Sequence, residues 1–407
     1  MIQSSMMDKS ILVDRRVLGT ESHLLSSEEG YAWIDSVPQE IWHLSGQIKN
    51  HSPACFDSLC RLNGVTLQLS PGDKWVKSMS TLKGGHPPWG QVMPREAFRR
   101  FTEGVLAEAN ENFPLLSRDY YRGTWIPSGG ILNRLVPAKI NPARAHEIIS
   151  EAGMNSRSYE GLFGPNGETQ PITYDRFGTR TGRLTVQTGP PILTLKRQYR
   201  DVFASSFPGG KILSLDFSAL EARILLYAGG GECPDEDLYG SFAQELFGDR
   251  SRRKIVKGAI LAEVYGASKA TLASTLNIDW GDLEVFTRRI RDAFRLSHLR
   301  GQIRSQFEQD GFVLNHYGRK IQIENTKDHI LVNSFSQSSG VDVSLLGFTQ
   351  VSDRFLGDSR FKPLFVLHDA LIADVHPDLF HEVSSIPPLK IPHFDGLFPL
   401  KVEDFSS

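Results

Sequence analysis

The stretch LSLDFSALEARILL, Leu213 to Leu226, decides how the rest of the chain is read. Ile212, Leu213 and Leu215 form an apolar run that reads as a buried strand, and the residues after Asp216 return with helical spacing, so Asp216 is expected at a strand end. An acid in that place is commonly a turn former or the N-cap of the next helix. A chemical role needs a second carboxylate elsewhere to share a metal ion, and cations to hold a reacting anion.

The second carboxylate lies in PLFVLHDALIADVHP, Pro363 to Pro377. Leu364–Leu367 and Ala370–Val375 are apolar runs separated by His368-Asp369, a pattern of strand, tight turn and strand. An acid at a hairpin tip is usually only a turn residue, yet two acids flanked by buried strand could meet across one sheet. Hard oxygen donors of that kind suit magnesium on a phosphate substrate. The cations lie in GDRSRRKIVKGAILAEVYGAS, Gly248 to Ser268. A helix starting near Asp249 or Ser251 puts Arg253, Lys257, Leu261 and Tyr265 on one face, with Gly266 as its stop. Arg252, Arg253 and Lys254 fall in its first turns, where the helix dipole disfavours cations unless an anion binds there. A solvated basic face with Tyr265 in the core accounts equally for this segment alone.

The chain has 407 residues, of which 40% are hydrophobic and 23% charged, with a formal net charge of -2. That is enough for two or three globular domains, and it argues against a general polyanion coat. Basic residues still cluster from Arg176 to Arg200 and from Arg250 to Lys257, and acidic ones from Glu232 to Asp237. No apolar run spans a membrane, and MIQSSMMDKS has no secretory character, so the expected setting is cytoplasmic. Cys55, Cys60 and Cys233 form neither a disulfide framework nor a zinc ligand set. Up to about residue 90 the sequence is irregular, punctuated by SPGDKW and GGHPPWG. REAFRRFTEGVLAEANENF (Arg95–Phe113) and NPARAHEIISEAG (Asn141–Gly153) carry helical patterns that could pack as one lobe. From about residue 170 strand-like and helical stretches alternate.

Asp216-Phe-Ser-Ala-Leu-Glu221-Ala-Arg223, the Arg253-x3-Lys257-x7-Tyr265-Gly266 helix and His368-Asp369 resemble, in order and spacing, the three polymerase motifs of family A DNA polymerases. TGRLT (Thr181–Thr185) and NSFSQ (Asn333–Gln337) extend the resemblance, which covers roughly residues 175 to 380. It implies an α+β right-hand polymerase: an antiparallel-sheet palm in residues 176–225 and 326–407, helical fingers in 226–325, a thumb-like helical lobe in 91–175, and residues 1–90 of unknown role. It implies extension of a DNA primer with dNTPs on a primer-template, with Asp216 and Asp369 holding two magnesium ions. Arg253 and Lys257 would grip the triphosphate. Leu261 and Tyr265 would lie along the nucleotide, and Glu221 would crowd the sugar 2' position. Arg183, Asn333, Gln337 and His368 would face the DNA, and HYGRK (His316–Lys320) is similar to the family's basic turn.

This sequence departs from the pattern at several positions. Tyr239 replaces a histidine expected to touch phosphate, Ala370 replaces an acid after the catalytic aspartate, Leu261 stands where an aromatic residue is common, and His329 where an arginine is usual. The first 90 residues show no Asp-x-Glu pair. The expectation is therefore a compact, phage-like polymerase without its own proofreading, editing being left to a separate exonuclease or replisome chain. A single-subunit RNA polymerase, or a catalytically silent nucleic-acid-binding relative, are the competing readings.

Overall fold

Two compact units divide the chain, Met1–Ile126 and Pro127–Ser407. The structure is a computed structural model and describes residues 10–27, 30–38, 41–47, 54–79, 87–152, 159–233, 237–266 and 268–405. The boundary falls inside the lobe expected over 91–175. Its two helical segments, Arg95–Asn112 and Pro142–Ala152, consequently belong to different units.

In the first unit, β1 (Ile11–Val13), β2 (His23–Ser27), β3 (Gly30–Ile34) and β4 (Trp42–Leu44) form a sheet of order β3-β2-β1-β4. β1 runs antiparallel to β2 and parallel to β4. Trp42 meets the rings of Phe56, Phe113 and Tyr121, and helix Arg95–Asn112 buries Phe101, Val105, Leu106 and Ala109 along one stripe. At the end of β1, Asp14 caps the next turn and pairs with Arg16 and with His43, both at 3.0 Å. Burial pushes the Asp14 carboxyl up, but the hydrogen bonds from Arg16 and the Arg16 and His43 charges outweigh it and hold it at about 2.

The second unit is built on one antiparallel sheet. β5 (Thr173–Asp175) and β6 (Thr185–Thr188) form a hairpin ahead of β7 (Lys211–Phe217). Helices Leu220–Ala228, Leu238–Phe247, Arg253–Tyr265, Lys269–Leu276, Trp280–Ala293 and Leu296–Asp310 follow. After them come the small hairpin β8 (Val313–Leu314) and β9 (Lys320–Ile321), and then helix Asp328–Arg354. β10 (Phe361–Leu367) and β11 (Ala370–Val375), the small pair β12 (Leu389–Lys390) and β13 (Leu397–Phe398), and β14 (Leu400–Asp404) complete it. The main sheet has the order β10-β11-β7-β14, every pairing antiparallel.

The period-2 pattern of β7 sets its two faces. Leu213, Leu215 and Phe217 are buried, while Ser214 and Asp216 alternate with them and are only half-buried. Helix Asp328–Arg354 approaches the buried face closely because its residues there are small. A Cβ on Gly347 would lie 2.5 Å from the Phe217 ring, and that ring also packs on Phe348 with centroids 5.4 Å apart. Asp216 therefore points away from this helix, toward the open side of the sheet.

Candidate active site

The hairpin turn His368-Asp369 joins β10 to β11, with His368 at φ 56°, and the register places Ala370 directly opposite Asp216. The Phe217 amide donates to the Asp369 carbonyl oxygen at 3.1 Å, which locks the end of β7 to the turn. The two acids separated in sequence thus come to neighbouring positions on adjacent strands. On the other flank of β7, Lys401 lies opposite Asp216 and Glu403 opposite Ser214, and these two side chains form an ion pair with each other. Burial, then the Asp369 carboxylate and Glu403, push the Asp216 carboxyl up to about 7, against the pull of Lys257 and Lys401. Its Oδ1 is buried and has no hydrogen-bond partner among the described residues. An orphaned carboxylate oxygen beside a second carboxylate fits a hard divalent cation, which would satisfy both.

After β7 the chain turns sharply through Ala219, at φ 56°, into helix Leu220–Ala228. The turn is fixed from within. Arg223, 1% exposed, donates from Nε to the Ser218 carbonyl oxygen at 3.0 Å and from Nη1 to the Tyr227 hydroxyl at 3.1 Å. Glu221 consequently stands in the first helical turn. Its Oε1 accepts from Arg183 Nη2 at 3.1 Å and its Oε2 from the Tyr265 hydroxyl.

Helix Arg253–Tyr265 begins after a tight turn capped by Asp249, whose carboxylate accepts from the Ser251 amide at 2.8 Å. It ends at Gly266, at φ 79°, where a Cβ would also lie 2.8 Å from His329 Cβ. Arg253 and Lys257 are exposed on this helix. Both sit over the Tyr239 ring, at 5.5 and 5.9 Å from its centroid. Arg253 Nε also pairs with Asp237 at 2.8 Å. Tyr239 is 3% exposed, and burial, with Glu221 nearby, pushes its hydroxyl up to about 12. It stands as a buried platform under the two cations, and Leu261 lies half-buried further along the same helix.

Arg183, Glu221, Gln337, His368 and Asp369 line one cavity of about 90 Å³, floored by Leu184, Leu220 and Leu345 among others. Asn333, one turn before Gln337 on helix Asp328–Arg354, keeps a buried Oδ1 without a partner among the described residues. The sequence alone did not single out Lys401 and Glu403, nor Asn315 just before HYGRK, and it gave Arg319 only as part of that basic turn. Asn315 Nδ2 donates to Asp342 at 2.7 Å, and Arg319 Nη2 donates to the Arg176 carbonyl oxygen at 3.0 Å. That turn is thus an internal brace as well as a basic segment.

The family model of DNA polymerase family A matches residues 168–402, more than half of the chain. The chain belongs to the family A DNA polymerases. Among curated family A relatives, DNA polymerase I of Helicobacter pylori is 26% identical over 266 residues, covering 56% of this chain and 28% of that protein. The DNA polymerase of Mycobacterium phage L5 is 25% identical over 209 residues, covering 48% of this chain and 33% of that protein. The chain thus spans about three tenths of the length of the curated relatives it matches. A solved structure described as the POL domain of Pol1 from M. smegmatis, in complex with DNA primer-template and dNTP, is similar with a TM-score of 0.56 and 14% identity. The match covers 98% of this chain and 95% of that one. The α+β fold is accordingly that of a family A polymerase domain. No helix among the described residues is long and apolar enough to cross a membrane.

Proposed function

We propose that this chain is a template-directed DNA polymerase that extends a DNA primer with dNTPs, with two magnesium ions held by Asp216 and Asp369. The observation that carries the reading is the register of β7 and β11, which brings two distant acids together and leaves Asp216 Oδ1 without a hydrogen-bond partner among the described residues. Magnesium bound there supplies charge stabilisation for phosphoryl transfer between a primer hydroxyl and a triphosphate. The chain's own residues bind and orient. Arg253 and Lys257, spread over the Tyr239 ring, offer charge-assisted donors to the triphosphate. Arg183, Gln337 and His368 line a cavity beside Asp369, where the primer-template end would lie, and minor-groove acceptors common to all base pairs suit such contacts. Asn333 would join them on the same helix. Glu221, held between Arg183 and Tyr265, stands as a wall against a ribose 2' hydroxyl.

The proposal also leaves editing to another site. In the first unit the Asp14 carboxylate is engaged by Arg16 and His43, and among the described residues its cluster gains only His23 rather than a second acid. Metal-dependent hydrolysis by paired carboxylates finds no second acid in the Asp14 cluster among the described residues.

A primer-template extension assay with each nucleotide type tests the reading. Asp216→Ala and Asp369→Ala should each abolish extension while primer-template binding persists, since neither removes a phosphate-binding cation. Near-normal extension in either variant would remove the metal assignment. A wild-type protein that prefers ribonucleotides would turn the reading to an RNA polymerase, and shortening of a labelled primer would overturn the statement on editing.

A further inference from the structure

We infer that Arg183 is a positioning residue for sugar selection, acting through Glu221; the inference rests on the polymerase reading above and deepens it. The Glu221 carboxylate is held from two sides. Arg183 Nη2, from the loop before β6, donates to Oε1 at 3.1 Å, and the Tyr265 hydroxyl, from the end of the cationic helix, donates to Oε2. Glu221 is itself partly buried, with its side chain 28% exposed.

Arg183 is delivered to this contact by a loop with little freedom. The Thr179 hydroxyl donates to the Arg183 carbonyl oxygen at 3.0 Å, and the Gly182 amide donates to the Thr179 carbonyl oxygen at 3.1 Å. Gly182 sits at φ 81°, and a Cβ there would run into the buried Arg319 guanidinium. A side chain larger than hydrogen at residue 182 would therefore disturb both the loop and its brace.

The consequence follows from how a wall discriminates. It rejects the wrong sugar by clash rather than by attracting the right one, so its power depends on not yielding. A glutamate carboxylate turns about a broad, shallow terminal torsion. With one hydrogen-bond partner it can swing aside; with a donor on each oxygen, from two separate elements, it cannot. Arg183 is thus required for the gate to be rigid, in addition to any contact it makes with the primer-template.

A double-mutant cycle on the full chain tests this, reading the ratio of kcat/KM for a matched deoxynucleotide over the ribonucleotide opposite the same template base. Arg183→Ala should lower the ratio about tenfold, the order expected for directly coupled neighbours. Arg183→Lys, which keeps a charged donor, should restore part of it and controls for folding of the loop. In a Glu221→Ala background, Arg183→Ala should leave the ratio unchanged. If Arg183→Ala lowers the ratio equally with and without Glu221, or leaves it unchanged while Glu221→Ala lowers it, the inference fails and the gate stands. If Glu221→Ala itself leaves the ratio at the wild-type value, the gate and the inference fall together.

Discussion

Replacing Asp216 by asparagine should stabilise the metal-free protein, and increasingly so as pH rises. Burial and the carboxylates of Asp369 and Glu403 raise the Asp216 carboxyl from its ordinary 3.8 to about 7. A carboxyl whose folded-state value lies above its unfolded one contributes stability that is fully present below about 3.8 and is lost as pH rises through about 7. Three pK units at about 1.36 kcal/mol each set a ceiling of about 4 kcal/mol for the cost of ionising this group in the folded state. The side chain is partly open to solvent, which screens the effect, and about half is the reasonable share, or about 2 kcal/mol. Asparagine cannot ionise. Asp216→Asn should therefore gain about 2 kcal/mol over wild type at pH 8 and about a quarter of that at pH 4.5. Urea denaturation in the presence of a chelator, followed by a signal from the second unit, measures the difference. An advantage that does not grow between the two pH values would show that Asp216 is not held in a strained, ionised state and would refute the reasoning. Magnesium added at pH 8 should stabilise wild type and leave the variant nearly unmoved.

The cationic helix gives a kinetic expectation: Lys257→Ala should raise the dNTP concentration needed for half-maximal incorporation about tenfold or more, because a charge on the triphosphate is lost. Single-turnover incorporation over a dNTP series checks this, and unchanged nucleotide dependence would move the triphosphate elsewhere. Gly347→Ala should cost about 1–3 kcal/mol, since the new methyl meets the Phe217 ring in a packed interior. A urea midpoint equal to wild type would mean that the helix and sheet can part without loss. Gly266→Ala should cost about 1–2 kcal/mol through its left-handed backbone, before any clash with His329 is counted, and thermal unfolding reads it directly.

What was legible in the sequence was local. The apolar run Ile212, Leu213 and Leu215 gave a buried strand with Asp216 near its end, as β7 (Lys211–Phe217) has it, because such a run is written in the strand itself. The runs on either side of His368-Asp369 gave the hairpin, and Gly266 gave the end of the cationic helix, since a left-handed stop needs only its own residue. Pairings between distant segments left little trace. β14 docks on the free side of β7 and sets Lys401 and Glu403 beside Asp216, but KVED alone does not name its partner strand. The sheet of the first unit escaped notice because β1 and β4 are three residues long, too short to show a period. Buried cations such as Arg176, Arg223 and Arg319 look like surface charges until their carbonyl and hydroxyl partners are seen.

The central position of β7 has a consequence for how the chain reaches its working form. One neighbour, β11, lies beyond the whole run of helices from Leu220 to Arg354, and the other, β14, lies further still. Closing so long an excursion is entropically costly, and contacts between remote segments form late and slowly. A ribosome releasing Asp216 has yet to make Asp369, so a growing chain carries one half of the proposed metal site for the time needed to synthesise everything between. Under the proposed function, chemistry thus waits on β11, and a partly made product lacks the assembled pair of acids.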